Sequence, residues 1–591
     1  MTQATIDQYG VIGNMNTAAL VSHYGSIDFL CLPRFDSPSV FTAMLDAEKG
    51  GNFSIIPTLN DLSYKQIYLT DTAILVTRFF SDYGIAEVAD FMPVHEEGSR
   101  MTLIRKVTAV RGNVEFKLTC RPRFNYSQSE HRTEFVEKGV KFTAENDQIL
   151  HLYSDIEMKL EENDVITLFT LKEGETQCFI LCDGNDEITD GVTDFCKSHY
   201  DDTHHFWKEW TQKCTYKGRW REMVIRSAIT LKLLSSHQYG SVVAAPTFAL
   251  PETLGGERNW DYRYCWIRDS AFTMFAFLRL GFIDEARTFM HWVETHCLDE
   301  PLQLMYKVDG TRPDDEVELK HFKGYKDSKP VLIGNGAVDQ KQMDIYGELI
   351  DTIYLFNKYG GHLTYEFWQK LSVEVEYVCD HWQTPDHGMW EIRGKEREFL
   401  HSFMMCWVAL DRAIKIGEER SFPYPREKWY HTRNEIYDYV YNEFWSEEKQ
   451  SFVQYKGGHE LDASVLLMPA VQFITSNEPR WQKTLQAIER ELKLDVLIYR
   501  YNNAESNIDG LDGEEGTFTM CSFWFVECLA KGGQVERASN FFEKILGYSN
   551  SLGLFSEQIS KRGEQLGNYP QALTHLALIT AAIELDRVMT E

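Results

Sequence analysis

No run of about 18 apolar residues occurs in this chain, so no membrane-spanning helix is expected. Positive charge is scarce. Lys and Arg number 60 against 89 Asp and Glu, a formal net charge of −29, which would repel a polyphosphate partner. The opening MTQATIDQYG lacks the basic and apolar regions of a secretory leader. The twelve cysteines show no CxxC or zinc-finger spacing, and several lie in apolar runs such as FMMCWVAL; they read as buried, reduced thiols. No low-complexity linker and no obvious repeat appears. Together these absences predict a cytoplasmic protein that meets neither nucleic acid nor membrane.

What is present divides in two. At 591 residues the chain exceeds one ordinary core. Residues 1–195 are rich in short segments such as AILVTRFF, VEFKLTCRPRF and VITLFTL, separated by turns such as SDYG and RGN. That texture predicts an antiparallel β-sandwich. Within it, Arg34 and Phe35 sit beside a turn that can reach a neighbouring domain. Residues 196–217 read as a linker helix that packs the two parts together. From 218 to 591 the apolar period is helical. Twelve segments follow, near 219–236, 267–280, 282–297, 338–358, 363–383, 399–417, 424–443, 461–472, 478–491, 516–531, 533–547 and 570–587. Joined alternately by short and long connections, they suit six hairpins closed into a toroid, with the long connections gathered at one mouth.

Those connections hold the unusual residues. PDHGMWEIRG places Glu391 on a loop beside Trp390. A carboxyl held against an indole loses water, its pKa rises, and it can serve as a general acid. NWDYRYCWIRDS sets Tyr264, Trp266, Arg268 and Asp269 together. Asp269 can simply cap a helix, but aromatic walls beside a forked ion pair also suit a hydroxyl-rich sugar, and aromatics are plentiful at 13%. Asn335 lies in IGNGAVDQ, where glycines permit close backbone approach. Arg500 opens a stretch that carries Asp509, Asp512, Glu514 and Glu515. That stretch lacks the calcium-loop alternation. The His204–His205 pair lacks a third ligand. No metal and no cofactor are therefore expected. Glu557 falls in the last long connection and can oppose Glu391 across the mouth. Paired carboxyls flanking a sugar are what glycoside hydrolysis requires.

The motifs RNWDYRYCWIRDS, GMWEIRG, and SEQ followed by GNYPQALTHLALI resemble glycoside hydrolase family 15, the glucoamylase-type enzymes, and the opening block QYGVIGNMNTAALVSHYGSIDFLCLPRFDSPSVF resembles its bacterial and archaeal members. The resemblance spans nearly the whole chain. It implies an N-terminal β-sandwich followed by an (α/α)6 barrel, Glu391 as general acid and Glu557 as general base. It also implies that Arg268 and Asp269 grip the terminal glucose, with Trp390 beside the acid and Arg500 around the cleavage point. Ile392 follows the acid where fungal members carry a second acidic residue, and no starch-binding module is expected after the last helix. The implied activity is inverting, exo-acting release of β-glucose from short maltose- or isomaltose-type α-glucosides, with trehalose as the alternative substrate. An inverting phosphorylase and a non-catalytic sugar-binding protein are the rivals from other classes.

Overall fold

Alternation decides the first part of the chain. In Val114–Arg121 the side chains of Val114, Phe116, Leu118 and Cys120 are buried while those between them reach solvent, the mark of a strand with one face on a core. Its antiparallel partner Asp164–Leu171 pairs Phe116 with Phe169. The computed structural model describes residues 3–94, 101–184, 188, 191–298, 301–502, 509–511 and 513–590. Between Tyr9 and Asp183 these form two eight-stranded antiparallel sheets. Phe169 of one sheet meets Phe179 of the other at 5.2 Å between ring centroids, so the inner faces interdigitate as in a sandwich.

Helix α1 (Val192–Gln212) leads into the toroid. The toroid helices are α2 (Arg221–Leu233), α3 (Ile267–Leu280), α4 (Ile283–His296), α5 (Asp344–Lys358), α6 (Tyr365–His381), α7 (Leu400–Arg420), α8 (Arg426–Glu443), α9 (Pro479–Leu492), α10 (Thr519–Lys531), α11 (Val535–Leu546) and α12 (Ala572–Thr590). A 3-10 helix, Ala463–Leu467, stands between α8 and α9. Packing of α3 on α5, α5 on α7, α7 on the 3-10 helix, that helix on α10, α10 on α12 and α12 on α3 closes an inner ring of six. The others stand outside, giving an (α/α)6 barrel. Burial follows position. Residues Thr519–Ala530 of inner α10 are all buried. Outer α11 buries only Ala538, Phe542 and Ile545, one stripe at helical spacing.

The segment expected as a helix over 461–472 is the one that differs in kind. Asp462 caps a single short 3-10 turn by accepting from Ser464 N at 2.6 Å. Pro469 has no amide with which to continue it.

The two parts are joined by polar contacts, some of them buried, as well as apolar ones. Arg34 donates to Asp309 at 2.8 Å, and Asp36 accepts from Val308 N at 3.1 Å, so this turn does reach the helical part. Tyr569 donates to the carbonyl of Tyr9 at 2.6 Å. All twelve cysteines are buried, and none forms a disulfide. Among the described residues no helix is long and apolar enough to cross a membrane.

Candidate active site

The mouth lies at the N-terminal ends of the inner helices, where the long connections enter. Asp386 shapes the loop before α7. Its two oxygens accept from Met343 N at 2.8 Å and from Gly388 N at 3.0 Å, and its backbone pairs with Arg397. Gly388 at φ 65° and Glu391 at φ 56° then turn the chain sharply. A left-handed conformation at a glutamate is uncommon and costs energy. Glu391 Oε1 accepts from Trp266 Nε1 at 2.7 Å and stands 3.5 Å from Arg268. Burial raises the pKa of this carboxyl. Arg268 opposes the rise, Asp269 adds to it, and the Trp266 N–H and Arg500 oppose it.

Glu557 is placed by a small ladder that pairs Phe518 with Gln558 and Thr517 with Ile559, and by Thr519 N donating to its carbonyl at 3.1 Å. Its Oε1 accepts from Tyr262 Oη at 2.6 Å and Gln571 Nε2 at 3.3 Å. Its Oε2 is buried without a hydrogen bond. One oxygen is therefore fixed and the other is left with free lone pairs. Burial pushes this carboxyl well up, and the charge of Glu252 adds to it. The Tyr262 hydroxyl and Arg500 favour the ionised form, while Glu515 opposes it.

Both glutamates line one cavity with Trp266, Arg268, Asp269, Trp390 and Arg500. Arg268 Nε donates to Asp269 at 3.0 Å, and Nη1 donates to the Met389 carbonyl at 2.5 Å. The pair is thus tied to the acid loop. Trp390 donates to Asp462, 3.0 Å from each carboxylate oxygen. A second cavity adjoins the first, sharing Tyr262, Trp390, Glu391 and Arg500 with it. Its further walls include Glu252, Arg258, Trp260, Asn335 and Arg393. Arg393 lies over the Trp260 ring at 4.2 Å. Glu252 is buried, its Oε2 has no hydrogen bond, and it lies 3.9 Å from Arg500. Burial pushes its carboxyl up to about 7.

Of the residues singled out in sequence, Glu391, Glu557, Trp266, Arg268, Asp269, Trp390 and Arg500 meet at one cavity, and Asn335 lines the second. The Asn335 side chain is spent on its own loop, accepting from Ala337 N at 2.9 Å and donating to the Asp261 carbonyl at 3.3 Å. Tyr264 lies outside both cavities. A bend at this residue breaks the alternation that carries Trp260 and Tyr262 inward, and its side chain is buried. Two members of the acidic stretch, Asp509 and Glu515, form an arginine clamp. Asp509 and Glu515 accept from Arg258 at 2.5 and 2.7 Å, and Glu515 also holds Arg500; Asp512 lies outside the described residues. Sequence reasoning passed over Glu252 and Arg258. The signal was present in PETLGGER, where Glu252 on one side and Glu257 and Arg258 on the other flank paired glycines inside a long connection.

Two buried carboxyls on one cavity, with an arginine–aspartate fork and indole walls, define a glycoside hydrolase. Residues 218–583 match the family model for glycosyl hydrolases family 15, and residues 1–171 match that for a trehalase-like N-terminal region. The chain belongs to glycosyl hydrolases family 15. A trehalase from Thermoplasma acidophilum is 36% identical over 579 residues, covering 96% of this chain and 98% of the relative. A trehalase from Mycolicibacterium smegmatis is 36% identical over 621 residues, covering 99% and 92%. A bacterial glucoamylase complexed with acarbose superposes with a TM-score of 0.76 at 13% identity, over 99% of this chain and 94% of that one; it shares the fold.

Proposed function

We propose that the chain hydrolyses α,α-trehalose with inversion, as a cytoplasmic enzyme. Trehalose, the alternative at the level of sequence, here displaces maltose and isomaltose. The relatives named trehalase over nearly full length support that choice. So does the second cavity. In trehalose both sugars are non-reducing ends, so the leaving glucose also needs an enclosed, hydrogen-bonding chamber. Glu252, Arg258 and Arg393 with the Trp260 ring offer one.

The mechanism uses groups already placed. Protonated Glu391 gives its proton to the glycosidic oxygen. Glu557 Oε2 takes a proton from water, whose oxygen bonds to the anomeric carbon as the bond to the leaving sugar breaks. Arg268 and Asp269 hold hydroxyls of the inner glucose. The observation that carries this reading is the division of labour at Glu557, one oxygen fixed by Tyr262 and the other free.

Proton NMR of fresh product tests it. Inversion yields one β- and one α-glucose from each trehalose. Two α-glucose molecules would mean retention, and a higher kcat/KM on maltose or isomaltose would move the substrate assignment. Glucose 1-phosphate formed on addition of phosphate would make the enzyme a phosphorylase.

A further inference from the structure

The first turns of α5 and α7 meet behind the acid loop, and three side chains buried there make no hydrogen bond. Asp344 opens α5 and Glu348 follows one turn later, on the same face. His401 is the second residue of α7. Their exposures are 0, 2 and 2%. Neither oxygen of either carboxylate, and neither ring nitrogen, has a hydrogen-bond partner. Yet the imidazole is aimed into the acidic pair. Nδ1 stands 3.4 Å from Asp344 Oδ2, and Nε2 stands 3.7 Å from Glu348 Oε1. One ligand atom from each residue lies within 4.8 Å of the other two.

Buried carboxylates without donors are costly unless a charge answers them. Arg268 is the nearby guanidinium, but it is committed to Asp269, the Met389 carbonyl and Glu391. An imidazolium between the two carboxylates would donate to both, and it bonds to neither. The geometry points to a divalent cation site formed by Asp344, Glu348 and His401. Two carboxylate oxygens and one imidazole nitrogen suit Zn2+ or Mn2+ better than Ca2+ or Mg2+, which favour all-oxygen shells. Ligands at roughly 2.0–2.2 Å from a zinc-sized ion stand about 3.4 Å apart in a tetrahedron, the separation of His401 Nδ1 from Asp344 Oδ2. One ring nitrogen would bind the ion, and the other would donate to a carboxylate.

The cation's work is structural. It would pin α5 to α7, an inner-ring pair in direct contact. Asp386 of the acid loop accepts from Met343 N, the residue before Asp344. Filling the site therefore fixes the loop that carries Glu391. The inference does not rest on which glucoside is cleaved.

Metal analysis of the purified full-length protein tests it first, with about one Zn2+ or Mn2+ per chain expected. Dialysis against EDTA should lower Tm by several degrees, and Zn2+ or Mn2+ added alone should restore it better than Mg2+ or Ca2+. Glu348→Gln and His401→Gln should weaken binding by at least the roughly 10–100-fold that loss of a supporting hydrogen bond costs a metal site, and should no longer answer EDTA. A parent protein without stoichiometric metal whose Tm none of the four ions moves would overturn the site. So would folded variants that bind as tightly as the parent. Should a variant fail to fold, metal content and the EDTA response of the parent still decide.

Discussion

A Cβ on Gly567 would stand 2.6 Å from Oε2 of Glu557, and the residue sits at φ 75°. The glycine therefore leaves uncrowded the oxygen proposed to activate water, and its left-handed backbone disfavours any side chain. Gly567→Ala should lose most of its kcat while unfolding only slightly earlier, since left-handed strain costs about 1–2 kcal/mol. Paired calorimetry and steady-state kinetics check this. A folded variant with parental kcat would show that Oε2 is not the reacting atom.

In the proposed mechanism Glu391 and Glu557 serve different steps, and a substrate that needs no acid separates them. Glu391→Gln should lose roughly 10²–10⁴-fold in kcat on trehalose but keep much of its rate on α-glucosyl fluoride, whose leaving group departs unprotonated. Glu557→Gln should fail on both. Equal losses for the two variants on both substrates would undo the assignment of acid and base.

As the proposed general acid, Glu391 must be protonated to act, so the alkaline limb of the pH profile should follow it. Burial raises its pKa, and the Trp266 N–H, by bonding the carboxylate, holds it back. Trp266→Phe removes that donor, so the acid keeps its proton to higher pH and the limb of kcat/KM moves up. Asp269 works the other way, its charge raising the pKa; Asp269→Asn should move the limb down, with a higher KM from the lost sugar contact. Limbs that do not move, or that move in the opposite senses, would separate Glu391 from the alkaline limb.

Much of this arrangement could be read from sequence, and the exceptions have a common cause. Long stretches with a single period, such as ALTHLALITAAIEL, specify their helix without help from distant residues, and the two-residue period did the same for the strands. Asp269 and Glu391 could be singled out because an unusual neighbour stood beside each in the chain. What could not be read was pairing across the chain. Glu515 and Asp509 looked like a charged loop because their partner, Arg258, lies some 250 positions earlier. Asp344 could not be paired with His401 because the histidine comes from another hairpin. Tyr264 was grouped with its neighbours because local alternation does not reveal a bend.

Glu252 should shift the acid limb through Glu557, the proposed base. Its negative charge raises the Glu557 pKa, so Glu252→Gln should lower that pKa and extend activity to lower pH. The same residue leaves a signature in stability. Its folded pKa of about 7 lies above the ordinary 4.5 of a glutamate. Its favourable contribution is complete below the unfolded pKa and is lost as pH rises through about 7. The Gln variant lacks that loss, so its Tm relative to the parent should climb between pH 5 and 8. A constant difference in Tm across that range, with an unmoved acid limb, would show that Glu252 titrates elsewhere.

Arg263 joins the sandwich to the mouth of the barrel, and its loss should be felt in both. Its guanidinium is 1% exposed and holds Asp261 through Nε at 2.9 Å and Nη2 at 2.6 Å. It also donates to the Ser37 carbonyl at 2.7 Å and to the Tyr126 hydroxyl at 3.1 Å, both in the sandwich. Asp261 in turn accepts from Gly334 N at 3.1 Å, at the start of the loop that carries Asn335. Arg263→Met strands a buried carboxylate, which costs about 3–5 kcal/mol, and frees the Asn335 loop. The expected result is a lower Tm and a raised KM with kcat less affected, because Glu391 and Glu557 are positioned by other contacts. Adding Asp261→Asn to the Met variant should restore part of the lost stability, since it removes the stranded charge. Strictly additive losses in the double variant would mean that the two side chains act independently, and the link from sandwich to site would be broken.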